Sequence, residues 1–148
     1  MTNKERFLEE CRTHIKREGI EQLLDWLENK SDFFSAPAST KFHGNYEGGL
    51  CEHSLNVFRE LRRFNELYDL HYSPETIAIV ALFHDICKAN FYKRGTRNIK
   101  DETGNWVAVD TWEIDDRLPL GHGEKSCIIL QRYISLTIDE VLAIRWHM

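Results

Sequence analysis

The hydrophobic pattern of the chain centres on one apolar run, residues 77–83, which leads directly into His84 and Asp85 and then Lys88. A helix that is apolar on every side belongs in the interior of a domain, because no face of it favours water. A serine-proline pair just before the run predicts a helix over about 74–88. Buried ionisable groups need a charged partner or a metal ion. We therefore expect a partner or an ion beside this histidine-aspartate pair.

Amphipathic helices are predicted on both sides of this run from the spacing of apolar residues. These helices cover residues 2–18, 20–29, 50–70, 121–134 and 137–148. Gly19 is predicted to stop the first helix, and Thr137 begins a capping box for the last one. Residues 31–46 have no periodicity and predict a loop. The last helix ends in mid-pattern at Met148, so we expect that a longer natural chain has been shortened here.

Residues 90–118 have a different pattern, which predicts a strand, a turn and a second strand. We interpret it as a β-hairpin inserted at about residues 96–114. The fold class predicted from these elements is all-α, a helical bundle with a small β-hairpin insert. One domain is expected over residues 1–148, with a helical extension and loop over 1–47 and a core over 48–148.

Composition agrees with an ordinary soluble protein, since 42% of the 148 residues are hydrophobic and 29% are charged. The net charge of −5 argues against broad, sequence-blind binding of nucleic acid. The longest apolar run is too short to span a bilayer, and no signal-peptide core is present. The scattered cysteines predict reduced, buried thiols in a cytoplasmic protein without membrane contact. They are Cys11, Cys51, Cys87 and Cys127.

Several histidines join the buried pair as candidate metal ligands. His53 falls inside the apolar stripe of helix 50–70, three residues after Leu50 and four before Val57, so it points at the core. Imidazole nitrogen combined with carboxylate oxygen suits Mn, Fe, Zn or Ni. The candidate ligands are His53, His84, Asp85, His122 and His147. Five ligands exceed the needs of one tetrahedral site and fit two metal ions.

Two segments carry a resemblance to a known family. The sequence GGLCEHS at residues 48–54, followed by LFHDICK at 82–88, resembles the HD superfamily of metal-dependent phosphohydrolases. GHGE at 121–124 and RWH at 145–147 are similar to the extra histidines of its dinuclear branches. Those branches include 3′–5′ exoribonuclease-like enzymes and cyclic dinucleotide phosphodiesterases. The resemblance implies an HD-domain helical bundle.

The resemblance also implies roles for the candidate ligands. His53, His84 and Asp85 would bind one metal ion, and Asp85 would bridge to a second ion whose ligands are completed by His122 and His147. The family also uses an aspartate downstream of the last histidine, and this sequence ends before that position. Substitutes for it are sought among Asp110, Asp115 and Asp116.

The implied reaction is hydrolysis of a phosphate ester by metal-activated water. Asp85, Lys88 and His43 are the predicted catalytic residues, with Lys88 near the phosphate and His43 protonating the leaving group. Lys88 is also the first of the predicted substrate-binding residues. The others form a basic, aromatic stretch: Tyr92, Lys93, Arg94 and Arg97. That stretch either holds a nucleotide or is a solvated hairpin, and the pattern favours neither.

The favoured function is a phosphodiesterase or phosphomonoesterase that acts on a nucleotide or a short single-stranded oligonucleotide. Two alternatives stay open: a di-iron oxygenase on the same fold, and a non-catalytic nucleotide-binding domain. Glu124 either orients a ligand histidine or is an acidic residue favoured in the first turn of a helix. The oligomeric state is beyond the sequence.

Overall fold

The computed structural model describes all 148 residues, as six α-helices and one antiparallel hairpin. The elements are α1 (Asn3–His14), α2 (Ile20–Asn29), α3 (Gly49–Leu67), α4 (Pro74–Phe83), a 3₁₀ turn (Ile86–Lys88), β1 (Tyr92–Lys100), β2 (Trp106–Ile114), α5 (His122–Gln131) and α6 (Ile138–Arg145). No helix has the length and the apolarity needed to cross a membrane.

Helix α4 is the centre of the core, as its all-round apolar sequence predicts. Six of its ten residues are buried, and Ser73 caps its first turn by accepting a hydrogen bond from the Thr76 N–H at 3.1 Å. Phe83 at its end packs its ring 5.8 Å from Phe7 of α1, which in turn lies 5.0 Å from Phe33. Burial of each such ring contributes about 2 kcal/mol to stability.

Helix α4 ends at Phe83, so the prediction of one continuous helix to residue 88 is wrong. The ring Nδ1 of His84 donates to the Ala81 carbonyl at 2.7 Å. Asp85 then adopts φ −106° and ψ 19°, which is outside the helical region. His84 and Asp85 therefore lie in a tight turn, and the predicted offset of about 100° between two helical neighbours does not apply.

Helix α3 is buried in its first half only. Its ten-residue neighbour α4 is too short to cover all nineteen residues, so Phe64 and Tyr68 are 48% and 64% exposed. The prediction that both continue the buried stripe is wrong, and so is the predicted end at residue 70. The first half, which carries His53, is packed against the core as predicted.

The helix boundaries at the two ends of the chain also differ from the predictions. Helix α1 ends at His14, and Gly19 begins α2 with a positive φ of +94° instead of stopping α1. A Cβ atom at Gly19 would overlap the Tyr133 carbonyl, so only glycine fits this position. Helix α6 ends at Arg145, three residues before the end of the predicted helix.

The hairpin is longer than predicted, because β1 begins at Tyr92 and not near residue 96. Nine residue pairs join its strands, from Tyr92 opposite Ile114 to Lys100 opposite Trp106. Most of its side chains are exposed, so the hairpin projects from the helical body. The fold is therefore helical with a hairpin, and all-α describes it only approximately.

A buried ion pair joins α6 to the rest of the helical body. Glu140 is fully buried, and its two carboxylate oxygens accept from Arg17 Nη1 at 2.5 Å and from Thr76 Oγ1 at 2.8 Å. It also closes the predicted capping box on Thr137. Burial works against the charged form, but the hydrogen bond from Arg17 and its other partners hold the pKa of Glu140 below its usual value.

We predict that Glu140→Gln destabilises the protein by about 3 kcal/mol at neutral pH, because it removes the buried charge that pairs with Arg17 and leaves Arg17 with Glu75 alone. The stabilisation requires a charged Glu140, whose pKa is lowered on folding. The loss of stability relative to wild type should therefore be complete above the ordinary pKa of glutamate. It should shrink as the pH falls through the lowered pKa of Glu140.

Urea unfolding at several pH values measures this difference. The matched control is Glu60→Gln, which removes an exposed pair with Arg59 and should change stability by less than about 0.5 kcal/mol. Equal effects of the two substitutions would contradict the importance of the buried pair.

Candidate metal centre

The turn after α4 brings two histidines and one carboxylate together. His53 Nε2 of α3 lies 3.2 Å from His84 Nε2, and each nitrogen lies 3.4 Å from Asp85 Oδ2. Asp85 and His84 are buried, whereas His53 is partly open to solvent. These three predicted ligands form the one group of three or more ligand atoms that is close enough to hold a metal ion.

A hydrogen bond to the backbone determines which nitrogen of the neutral His84 ring carries the proton. Because Nδ1 donates to the Ala81 carbonyl, Nε2 of the neutral ring carries a lone pair. That lone pair faces Asp85 Oδ2, which is also an acceptor. Two acceptors at this distance repel each other unless a proton or a cation lies between them. A ligand histidine fixed through its other nitrogen is the usual arrangement at protein metal sites.

The separations fit a transition metal ion. With metal–ligand bonds of about 2.1 Å, ligand atoms lie about 3.4 Å apart in a tetrahedral site and about 3.0 Å apart in an octahedral one. The three separations among His53, His84 and Asp85 are 3.2, 3.4 and 3.4 Å. Nitrogen and carboxylate oxygen together favour Mn, Fe, Zn or Ni, as the sequence predicts.

His147 approaches the other side of the same carboxylate. Its Nε2 lies 3.0 Å from Asp85 Oδ1, and its Nδ1 donates to the Ile144 carbonyl at 2.6 Å. The hydrogen bond with Asp85 raises the pKa of His147. Asp85 thus presents Oδ2 to His53 and His84 and Oδ1 to His147, which is the arrangement of a bridging ligand.

His122 lies beside this cluster without a direct hydrogen bond to it. Its Nδ1 is 3.5 Å from Cys87 Sγ, and its ring packs 5.6 Å from Phe91. Burial and the nearby Lys88 charge lower the pKa of His122, so its ring is neutral at neutral pH. Burial also raises the pKa of Cys87 to about 11, so this thiol is protonated.

Close packing of α5 on α6 places His122 and His147 on the same side of the protein. A Cβ atom at Gly123 would overlap the Arg145 carbonyl, so the two helix ends touch there. Glu124 forms an ion pair with Arg145 at 2.7 Å and none with a histidine. Of the two roles left open for Glu124, the structure supports the acidic residue in the first turn of a helix, and this residue also links α5 to α6.

Asp85 is charged in spite of its burial. Burial acts to raise its pKa, but the nearby His147, His53 and His84 rings, whose protonated forms can donate to its oxygens, outweigh burial and hold the pKa well below its usual value. Lys88 adds a further positive charge, with Nζ 3.1 Å from Asp85 Oδ2. Lys88 is itself buried, and its ammonium also donates to the Ala38 carbonyl at 2.8 Å.

His43 is the predicted catalytic residue on the loop before α3. Its exposed ring lies 4.8 Å from the ring of His53, so it is at the rim of the cluster. Burial and the charges of His53 and Lys88 lower the pKa of His43. A histidine with a lowered pKa is mostly neutral at neutral pH, which works against a role as proton donor.

The predicted substrate-binding stretch does not converge on the cluster. Tyr92 lies within reach of the Asp85 charge. Burial, and after it that charge, raises the pKa of Tyr92 to about 12. Lys93 lines a separate cavity, and Arg94 stacks on Trp112 with 3.9 Å from its guanidinium carbon to the ring centre. Arg97 is exposed and forms no ion pair. Lys93 and Arg94 reach different surroundings because successive side chains of a strand point to opposite faces.

The three aspartates considered as substitutes for the downstream ligand lie elsewhere. Asp110 is in β2, Asp115 pairs with Arg117 at 3.3 Å, and Asp116 pairs with Lys125 at 2.9 Å. None of them joins the group of candidate ligand atoms. The four cysteines are free and buried, as predicted.

Sequence reasoning missed the groups that orient the ligands. They are the backbone carbonyls of Ala38, Ala81 and Ile144 and the thiol of Cys87. Every residue has a carbonyl, so the residue types at these positions carry no signal. The cysteine lies two residues after Asp85, and that proximity is the one available clue.

We predict that the metal-free protein takes up about two transition metal ions per chain and that His84→Ala abolishes the tighter binding. In wild type, saturating metal should raise stability by about 2.7 kcal/mol at a hundredfold excess over the dissociation constant. The variant should lose this gain, because two of the three converging ligand atoms cannot hold the ion alone.

Elemental analysis after dialysis, with thermal unfolding in parallel, measures both effects. The control is His71→Ala, which removes a histidine that is exposed and far from the cluster in sequence and should leave metal content unchanged. Wild-type metal content in the His84→Ala variant would overturn the assignment.

Comparisons with known proteins agree with this centre. The family model "HD domain" matches residues 50–148, which is more than half of the chain. The dihydroneopterin 2′,3′-cyclic phosphate phosphodiesterase of Methanocaldococcus jannaschii is 33% identical over 84 residues, covering 54% of this chain and 31% of that protein. The match thus spans less than a third of the relative. No solved structure matches the chain. The chain belongs to the HD-domain family.

Proposed function

We propose that this chain is a metal-dependent phosphohydrolase that cleaves a small phosphodiester of the nucleotide type in the cytoplasm. The observation that carries the proposal is the division of Asp85 between two sets of nitrogen ligands. His53, His84 and Asp85 would hold one ion, and Asp85, His147 and His122 a second. The ions would be Mn, Fe, Zn or Ni.

Bound ions of this kind lower the pKa of water to near neutrality and polarise phosphoryl oxygens. The protein's own contribution is to keep the ligands in place. The carbonyls of Ala81 and Ile144 fix the ring orientations of His84 and His147, so no histidine has to turn when substrate binds. Such preorganisation is where much of the catalytic effect of an enzyme originates.

Lys88 has two roles in this proposal. Its bond to the Ala38 carbonyl anchors the ammonium, and its bond to Asp85 keeps that carboxylate charged and oriented. The same fixed positive charge would lie near a phosphoryl group bound at this centre, where it would stabilise the negative charge of the transition state. His43 and Tyr92 border the centre and would contact the rest of the substrate.

The relative supports a diester substrate, because it is a phosphodiesterase of a 2′,3′-cyclic phosphate. A nucleoside 2′,3′-cyclic phosphate carries the same cyclic linkage, and a short oligonucleotide carries an acyclic phosphodiester. Oxygenase chemistry and pure binding, the two alternatives, share the metal ligands but predict different outcomes in the same assay.

We predict that Lys88→Met lowers kcat about 100-fold on a diester substrate while metal content stays at the wild-type level. The loss has this size because one preorganised cation is removed from beside the transition state. Methionine keeps the length of the side chain, so packing changes little. Unchanged kcat in a metal-loaded variant would show that Lys88 only positions Asp85.

The activity itself is tested with protein loaded separately with Mn, Fe, Zn and Ni. The substrates are bis(p-nitrophenyl) phosphate, p-nitrophenyl phosphate and a nucleoside 2′,3′-cyclic phosphate. We expect turnover of the diesters, and Asp85→Asn should abolish it together with metal binding. Oxygen uptake by the iron form without diester cleavage would replace the proposal with an oxygenase, and binding without either reaction would replace it with a regulatory role.

A further inference from the structure

A second cavity of about 460 Å³ lies at the base of the hairpin, outside the metal cluster. It is formed by α2, the start of β1, the segment after β2 and α5, and none of the candidate metal ligands lines it. Its volume is in the range of pockets that hold small ligands. Four cationic side chains line it: Lys93, Arg117, Lys125 and Arg132.

The two carboxylates in this cavity are already engaged. Asp32 accepts a hydrogen bond from the Asn90 N–H at 2.6 Å, and Asp115 pairs with Arg117 at 3.3 Å. The side chains of Lys93 and Arg132 form no ion pair and no hydrogen bond, and both residues are exposed. The cavity therefore has an excess of positive charge in a protein whose net charge is −5.

Lys125 makes the wall of this cavity more than a solvated surface. It is 7% exposed, its Nζ pairs with Asp116 at 2.9 Å, and the ammonium lies 4.9 Å from the ring centre of Phe91. A nearly buried ammonium attracts an anion more strongly than an exposed one, because less water screens it. The indole of Trp26, which is half-buried, supplies an aromatic surface in the same cavity.

We propose that this cavity is a second ligand site, for a phosphorylated ligand of nucleotide size. The phosphate would bind between Lys93 and Arg132, with Lys125 behind them, and the ring of the ligand would pack on Trp26. Phe91 separates this site from the metal centre, because its ring contacts both His122 and the Lys125 ammonium. The site has cations of its own, since Tyr92 is the one residue assigned to the proposed hydrolysis that also lines this cavity.

The test is a titration of the metal-loaded protein with adenosine 5′-monophosphate, followed by the NMR signal of the Trp26 indole N–H. A Trp26→Phe variant identifies that signal. We expect saturable movement with a dissociation constant of roughly 1 mM or tighter, and weaker binding at higher ionic strength. Inorganic phosphate should bind more weakly than the nucleotide and move the Trp26 signal less.

Variants separate the two sites. The double charge reversal Lys93→Glu/Arg132→Glu should weaken binding at least tenfold. The matched control Arg97→Glu/Lys100→Glu makes the same charge change on exposed residues of β1 and should alter the constant less than twofold. Asp85→Asn should leave binding at Trp26 intact, because it disables only the metal centre.

Three results would overturn this proposal. One is a Trp26 signal that does not move at several times the expected dissociation constant. Another is wild-type affinity in the Lys93/Arg132 variant. Its substitutions are exposed and should leave folding undisturbed, which thermal unfolding of the variant checks. The third is loss of binding in Asp85→Asn, which would place the nucleotide at the metal centre.

Discussion

The structure depends on the need to neutralise a carboxylate that lies inside the core. Asp85 is 3% exposed at the end of the most apolar helix of the chain, where an unpaired charge costs several kcal/mol. The fold offers it three imidazole nitrogens and one ammonium: His84 and Lys88 come from the same turn, His53 from α3 and His147 from the segment after α6. Two of those rings are fixed so that a lone pair, and not a proton, faces the carboxylate in the neutral state. A cation is therefore the partner that satisfies all of these groups together.

The rest of the fold holds together the three segments that meet at this carboxylate: α3, the turn after α4 and the segment after α6. Gly123 lets α5 touch the end of α6, and the ion pair of Glu124 with Arg145 joins the same two helices. The buried Glu140 fixes the beginning of α6 to Arg17 and to the first turn of α4. His147, near the end of the chain, is thus positioned by contacts at both ends of α6. Loss of either contact would move a ligand without touching the metal centre.

The candidate ligands of this centre were predictable from the sequence, whereas the backbone groups that orient them were not. Helical spacing pointed His53 at the core, and adjacency to an apolar run did the same for His84 and Asp85; both are local signals. The end of α4 depends on a bond from the His84 ring to its own backbone, which composition does not reveal. The basic stretch does not act as one surface, because neighbouring strand residues face opposite ways and Lys93 and Arg94 reach different surroundings.

The positive charge beside Asp85 and the positive charge at the base of the hairpin differ in kind. Lys88 is buried and bonded on two sides, so it can act on a bound phosphoryl group but adds little to the long-range attraction of an anion. Lys93 and Arg132 are exposed and unpaired, so they can attract an anion from solution but are separated from the metal centre by the Phe91 ring. Capture and chemistry therefore need different residues in this chain. This division explains why charge at the hairpin base is expected to alter ligand binding while charge beside Asp85 is expected to alter turnover.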